Sequence, residues 1–89
     1  MIVAFDKSFE KSLEIIRNKS LFQKLEKIII DFENAGLFSE LSNIKKLTGY
    51  KYYYRIRIGD YRLGFEKISA NTIRFIIVAH RKDIYKLFP

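Results

Sequence analysis

The sequence predicts a small α+β protein of one domain, residues 1–89. In it a helical hairpin packs on a four-stranded, mostly antiparallel sheet, as a βααβββ two-layer fold closed by a short C-terminal turn or helix. Three observations carry that prediction. Lys51 to Glu66 alternates with period two around Gly59-Asp60, two consecutive segments before residue 35 repeat apolar residues with a helical period, and Thr72 to Ala79 is apolar on both faces beyond its start.

Ile2 to Phe5 is too short for a helix and reads as a buried strand. Asp6 or Ser8 caps a first helix that turns Phe9, Leu13 and Ile16 to one side and ends near Asn18. Ser20-Leu21-Phe22-Gln23 has the form of a capping box, so a second helix starts there. Leu21, Leu25, Ile28, Ile29 and Phe32 share one face of it, and Asn34-Ala35-Gly36 supplies a terminating glycine. A link of about two residues makes the two helices an antiparallel hairpin. From Leu37 to Tyr50 the periodicity weakens. Leu37, Phe38, Leu41, Ile44 and Leu47 read as anchors of a loop, with Lys45 and Lys46 as solvated charges or, as the lesser alternative, contacts for a long ligand.

In the central stretch Tyr52, Tyr54, Ile56 and Ile58 fall on the core face, and Lys51, Tyr53, Arg55 and Arg57 on the other. Gly59 tolerates the positive φ that a two-residue hairpin turn needs at its first position. Ile58 then lies opposite Tyr61, Arg57 opposite Arg62, Ile56 opposite Leu63 and Arg55 opposite Gly64. Ser69-Ala70-Asn71 is the next turn, with Asn71 as its left-handed residue. Pairing Ile68 with Thr72 sets Glu66 opposite Arg74, Leu63 opposite Ile77 and Arg62 opposite Val78. The first strand pairs with the free edge of the last, giving spatial order two-three-four-one.

Like charges directly across a sheet are destabilising, so Arg57 against Arg62 calls for an anion between them or for a well-solvated face. Strands ~4.8 Å apart let two or three guanidinium groups converge on one phosphate. The chain has 17 lysines and arginines against 10 acidic residues, a net charge of +7, which suits a polyanionic partner, either nucleic acid or an acidic protein. With no cysteine and one histidine, disulfides, thiolate metal sites and the usual zinc sites are excluded, and no pair of acidic residues has magnesium-site spacing. No metal or cofactor is expected. The N-terminus has no secretory apolar core and no run reaches ~20 apolar residues, so a soluble cytoplasmic protein without a membrane segment is expected. His80 at a strand end and Tyr85 in a terminal turn are either structural or chemical, and Tyr53, on the arginine face, could stack on a base.

The stretches KKLTG, YRIRIGDYRLGFE and IVAHRKDIY, densest over Leu47 to Tyr85, resemble the RelE/ParE superfamily of toxins from toxin–antitoxin pairs, and most of all its RelE-type branch. That resemblance implies this α+β fold and metal-independent cleavage of ribosome-bound mRNA, by attack of a 2′-hydroxyl on the adjacent phosphate. It also implies a cognate antitoxin as partner, the toxin being a monomer or part of a toxin–antitoxin hetero-oligomer. Residue by residue, it points to Arg62, Arg81 and Tyr85 as catalytic and to Arg55 and Arg57 as phosphate-binding. From the residues themselves, His80 is a further candidate in proton transfer, and Lys51, Tyr53 and Lys82 are peripheral RNA contacts. Some RelE toxins carry lysine at the positions of Arg55 and Arg57. Arginine holds its proton, which confines these two to electrostatic work. The competing readings are a ParE-like toxin that poisons DNA gyrase and cuts nothing, and an RNA-binding domain without toxicity.

Overall fold

The computed structural model describes residues 1–89. Strand β1 (Ile2–Phe5) precedes helices α1 (Lys7–Ile16) and α2 (Lys19–Asn34) and a 3-10 turn at Phe38–Glu40. Strands β2 (Ile44–Lys46), β3 (Tyr53–Ile58), β4 (Tyr61–Ser69) and β5 (Thr72–His80) follow, then helix α3 (Ile84–Leu87). The sheet order is β1-β5-β4-β3-β2, with β1 parallel to β5 and every other pair antiparallel. The expected sheet is therefore present with one strand more. The fifth is β2, whose three residues are too few to show a period; it pairs Ile44 with Ile56 and Lys45 with Arg55.

Asp6 caps α1, its carboxylate accepting from the Ser8 amide. Hydrogen bonds from the Ser8 hydroxyl and amide hold the Asp6 carboxyl below its usual range. Arg17 ends α1 in the left-handed region with φ 45°, which leaves Asn18 extended. Asn18 is the cap of α2, accepting from Leu21 N at 3.0 Å, so Ser20 falls inside the first turn and the expected capping box does not form. The other end of α2 also departs from expectation. Gly36 is not left-handed; Ala35 turns out extended, and the Met1 amine donates to the carbonyls of Phe32, Glu33 and Ala35 at 3.1, 3.1 and 2.8 Å. A cation there meets the negative end of the helix dipole.

Phe9, Leu21, Leu25 and Phe32 of the hairpin pack on Ile56, Ile58, Leu63, Phe65, Ile73, Phe75 and Val78 of the sheet. The Phe32 ring meets Phe65 and Phe75 edge-on at 5.4 and 5.3 Å. Among the expected loop anchors, Phe38, Leu41 and Ile44 join this core and Leu47 packs on the opposite face, while Leu37 is exposed. Ile2 and Phe5 are exposed too, because β1 is an edge strand and not a buried one. Tyr52 precedes β3 and is exposed rather than on the core face.

The β3–β4 register is the expected one, with positive φ at Gly59. The β4–β5 register departs twice. Ser69, not Ile68, pairs with Thr72, so the turn is Ala70-Asn71 with Ile68 as an extra residue. Asn71 is not left-handed; its side-chain oxygen accepts from the Ser69 and Thr72 hydroxyls at 2.9 and 3.1 Å. Glu66 faces Arg74 as expected. Beyond it Phe65 pairs with Phe75 and Gly64 with Ile77, which leaves Ile76 unopposed as a bulge. Leu63 therefore faces Val78 and Arg62 faces Ala79, one residue away from the expected partners.

A one-residue slip exchanges the two faces for everything that follows. Val78 enters the helix-side core, and Ala79 joins the small cluster on the other side. The bulge is braced from α1. Past Phe5 the outer edge of β5 has no neighbouring strand, and Ser8 and Ser12, one helical turn apart, take its place. The Ser8 hydroxyl lies between the Asp6 carboxylate and the Ile76 carbonyl, which share its one proton, and Ser12 Oγ accepts from the buried Val78 amide at 3.1 Å.

Candidate nucleic-acid interface

On the face away from the hairpin, β2, β3 and β4 set cations side by side. Lys45 is directly opposite Arg55, and Arg57 directly opposite Arg62. Neither pair has a carboxylate partner. The one ion pair of the chain, Arg74 to Glu66 at 2.7 Å, lies further along the same face. Arg62 bends over the hairpin turn, where Nη1 donates to the carbonyls of Gly59 and Tyr61, both at 2.9 Å. The remaining donors of its guanidinium fork have no partner in the chain. Arg81 reaches the same corner, since its amide donates to the Asp60 carbonyl at 2.8 Å.

Helix α3 brings the tyrosine. Ile84 and Phe88, four residues apart, are both buried against this face and hold the short helix down. Phe88 lies directly on Gly64, where a Cβ would come within 2.6 Å of the ring. Only a residue without a side chain admits that contact. Tyr85, between the two anchors in sequence, is 72% exposed, and the Arg55 guanidinium carbon sits 4.9 Å from the centre of its ring.

Arg55, Arg57, Arg62, Arg81 and Tyr85 thus gather on or beside one face. His80 does not join them. The bulge at Ile76 turns it to the helix side, opposite Tyr61, whose ring centre is 5.7 Å away. Its Nδ1 accepts from the Lys82 amide at 3.2 Å. Tyr53 is on the arginine face but half-buried, its ring edge-on to Phe88 at 5.4 Å and to Tyr50 at 5.6 Å. Lys51 and Lys82 are exposed, in the bend before β3 and the turn before α3. Two further residues lie here: Lys45, expected mainly as a solvated charge, which β2 carries to Arg55, and Tyr50, not singled out by the sequence, beside Tyr53. The one sequence signal for Lys45 is Ile44, an apolar match for Ile56 one position away.

The sequence model of the ParE toxin of the type II toxin-antitoxin system, parDE, matches residues 3–85. The chain is 41% identical over 90 residues to Toxin RelE3 of Methanocaldococcus jannaschii, covering 100% of both. A chain of the RelB-RelE antitoxin-toxin complex from Methanococcus jannaschii superposes with a TM-score of 0.74 at 37% identity, over 97% of this chain and 99% of that one. The archaeal RelE-RelB complex from Pyrococcus horikoshii shares the fold, with a TM-score of 0.69 at 23% identity over 90% and 93% of the two chains. No helix is long and apolar enough to cross a membrane. A family match that spans β1 to α3, together with a relative aligned from end to end, establishes that the chain belongs to the RelE/ParE superfamily and is a RelE-like toxin of a type II toxin–antitoxin system.

Proposed function

We propose that this toxin is a metal-independent endoribonuclease that cuts messenger RNA on the ribosome in the cytoplasm and so arrests translation. The observation that carries the reading is the row of unpaired cations, Lys45 against Arg55 and Arg57 against Arg62, with Tyr85 packed under Arg55. A face with that charge is costly until an anion occupies it. Arg55, Arg57 and Arg62 bind the scissile phosphate and the charge that develops on it. Tyr85 serves the proton transfers, Arg81, which keeps its proton, stabilises the charge on the departing 5′-oxygen, and His80, on the other face, has no part in them. Attack by the 2′-hydroxyl leaves a 2′,3′-cyclic phosphate and a 5′-hydroxyl. Lys51 and Lys82 add long-range attraction for the message.

A cognate antitoxin is the natural partner, since relatives of this chain are described in RelB-RelE complexes. An acidic, amphipathic segment would neutralise the same cations. The family model is named for ParE, which keeps the gyrase-directed reading in view. One experiment separates the two. The chain is induced alone in a bacterium, mRNA 5′ ends are mapped, and purified toxin is added to a gyrase supercoiling assay. The expected result is 5′-hydroxyl ends within translated frames and undisturbed supercoiling; the reverse pattern establishes the gyrase poison, and induction without growth arrest establishes a non-toxic binding domain.

A further inference from the structure

Beside the phosphate-binding row lies a cleft of about 340 Å³ between β2, the loop that follows it and α3. We propose that this cleft is a nucleobase subsite for the nucleotide next to the scissile phosphate, with Tyr50 as its stacking wall; the assignment to a cleavage site rests on the nuclease reading above.

The lining has the chemistry of a nucleotide. Lys45, Lys46 and Arg55 supply three cations, Tyr50 and Tyr85 two exposed rings, and Phe88 and Pro89 an apolar surface, with no Asp or Glu side chain in the lining. The cavity under α2 differs in kind, for there one arginine, Arg57, shares the lining with two carboxylates, Asp31 and Glu40. The volume is within the range of cavities that take small molecules. Arg55 belongs to both the cleft and the arginine row, so a phosphate held on the row places its neighbouring base at the cleft mouth.

Tyr53 is the base-stacking candidate by sequence, but its ring is already committed to Phe88 and Tyr50. Tyr50 takes the outer position. Gly49, with φ 86°, turns the chain in the left-handed region, and the Tyr50 amide donates to the Leu47 carbonyl at 3.3 Å. The Tyr50 ring is braced on one side by Tyr53 and is 46% exposed. A ring held in place before binding loses little freedom when a base lands on it. Stacking is also tolerant of sequence, so the subsite would bias the choice of base and not dictate it.

The test uses short RNA oligonucleotides with a 2′-deoxy sugar at the attacking position, which blocks cleavage, and the same oligonucleotides with an abasic nucleotide on one or the other side of the linkage. Tyr50→Ala is expected to weaken binding of the intact oligonucleotide on the order of 10-fold while leaving one of the two abasic ones unaffected. Tyr50→Phe should bind like the parent. In induced cells Tyr50→Ala should flatten the base preference at the mapped cleavage positions, with circular dichroism reporting an intact fold. Parent-like affinity in Tyr50→Ala, or an equal loss for the intact and both abasic oligonucleotides, overturns the subsite and leaves the nuclease reading standing. Base-dependent binding through Tyr50 by a toxin that yields no 5′-hydroxyl ends supports the subsite and overturns cleavage instead.

Discussion

The two faces of the sheet are made for different purposes. Toward the hairpin, Leu63, Phe65, Ile73 and Phe75 are all 0% exposed and interlock with rings from both helices. Away from it, the buried cluster shrinks to Ala79, Ile84 and Phe88, and unpaired cations occupy much of the rest. Burying one large apolar side chain stabilises by about 1.5–3 kcal/mol, whereas a like-charge pair across strands costs a fraction of that. A few phenylalanines on one face therefore let the other face carry repulsion. Cohesion and uncompensated positive charge lie on opposite sides of the same strands, so variants should separate stability from the activity proposed above.

The strongest way to break this contrast is to exchange the targets. Phe65→Ala should cost about 3–5 kcal/mol in urea denaturation. Arg62→Ala, on the opposite face of the same strand, should stay within about 0.5 kcal/mol of the parent and lower mRNA cleavage on the order of 10²-fold. A large loss of stability in Arg62→Ala would show that the cationic face is structural. Next comes Gly64→Ala, which strikes the one place where the second face is tightly packed. The new methyl meets Phe88, so up to about 3 kcal/mol of overpacking strain is expected, and cleavage should fall as α3 and Tyr85 shift. Thermal denaturation and the cleavage assay read the two effects separately.

A smaller effect is expected at Ser12, where Ser12→Ala leaves the buried Val78 amide without a partner and should cost at least about 1 kcal/mol. Cleavage by the folded fraction should not change, since Ser12 is on the helix side. The smallest effect is the pH dependence of the α1 cap. Because the folded Asp6 carboxyl titrates below its ordinary value of about 3.9, its contribution is fully present above that pH and disappears as pH falls through the lower folded value. Asp6→Asn keeps a good cap and should remove this component of acid unfolding, measured by circular dichroism between about pH 5 and pH 2.

Legibility in the sequence followed distance along the chain. The β3–β4 register was readable because Gly59 fixes it locally, and Glu66 opposite Arg74 was readable from their charges. The bulge at Ile76 was not readable, since Thr72 to Ala79 is uniformly apolar and the groups that brace the bulge, Ser8 and Ser12, lie more than sixty residues away. That single irregularity put His80 on the wrong face. Caps went astray for a related reason: Asn18 and Ser20 are equally good by type, and only the left-handed Arg17 chooses between them. The C-terminal end of α2 is satisfied by the Met1 amine, a contact no local pattern announces. Of the site, the arginine row was visible as alternation, whereas the place of Lys45 opposite Arg55 became visible only once β2 was paired, and that of Tyr50 only through its ring contact with Tyr53.

The pairing of Ile2 with Thr72 has a consequence for how the chain folds. The β3, β4 and β5 strands form a local meander whose contacts close short loops, but β1 must wait for a partner 70 positions downstream. Closing that long loop carries an entropic penalty that only the assembled core repays. During synthesis, then, the first strand and the hairpin emerge well before the sheet they complete, and the cationic face takes its final shape only after almost the whole chain has been made.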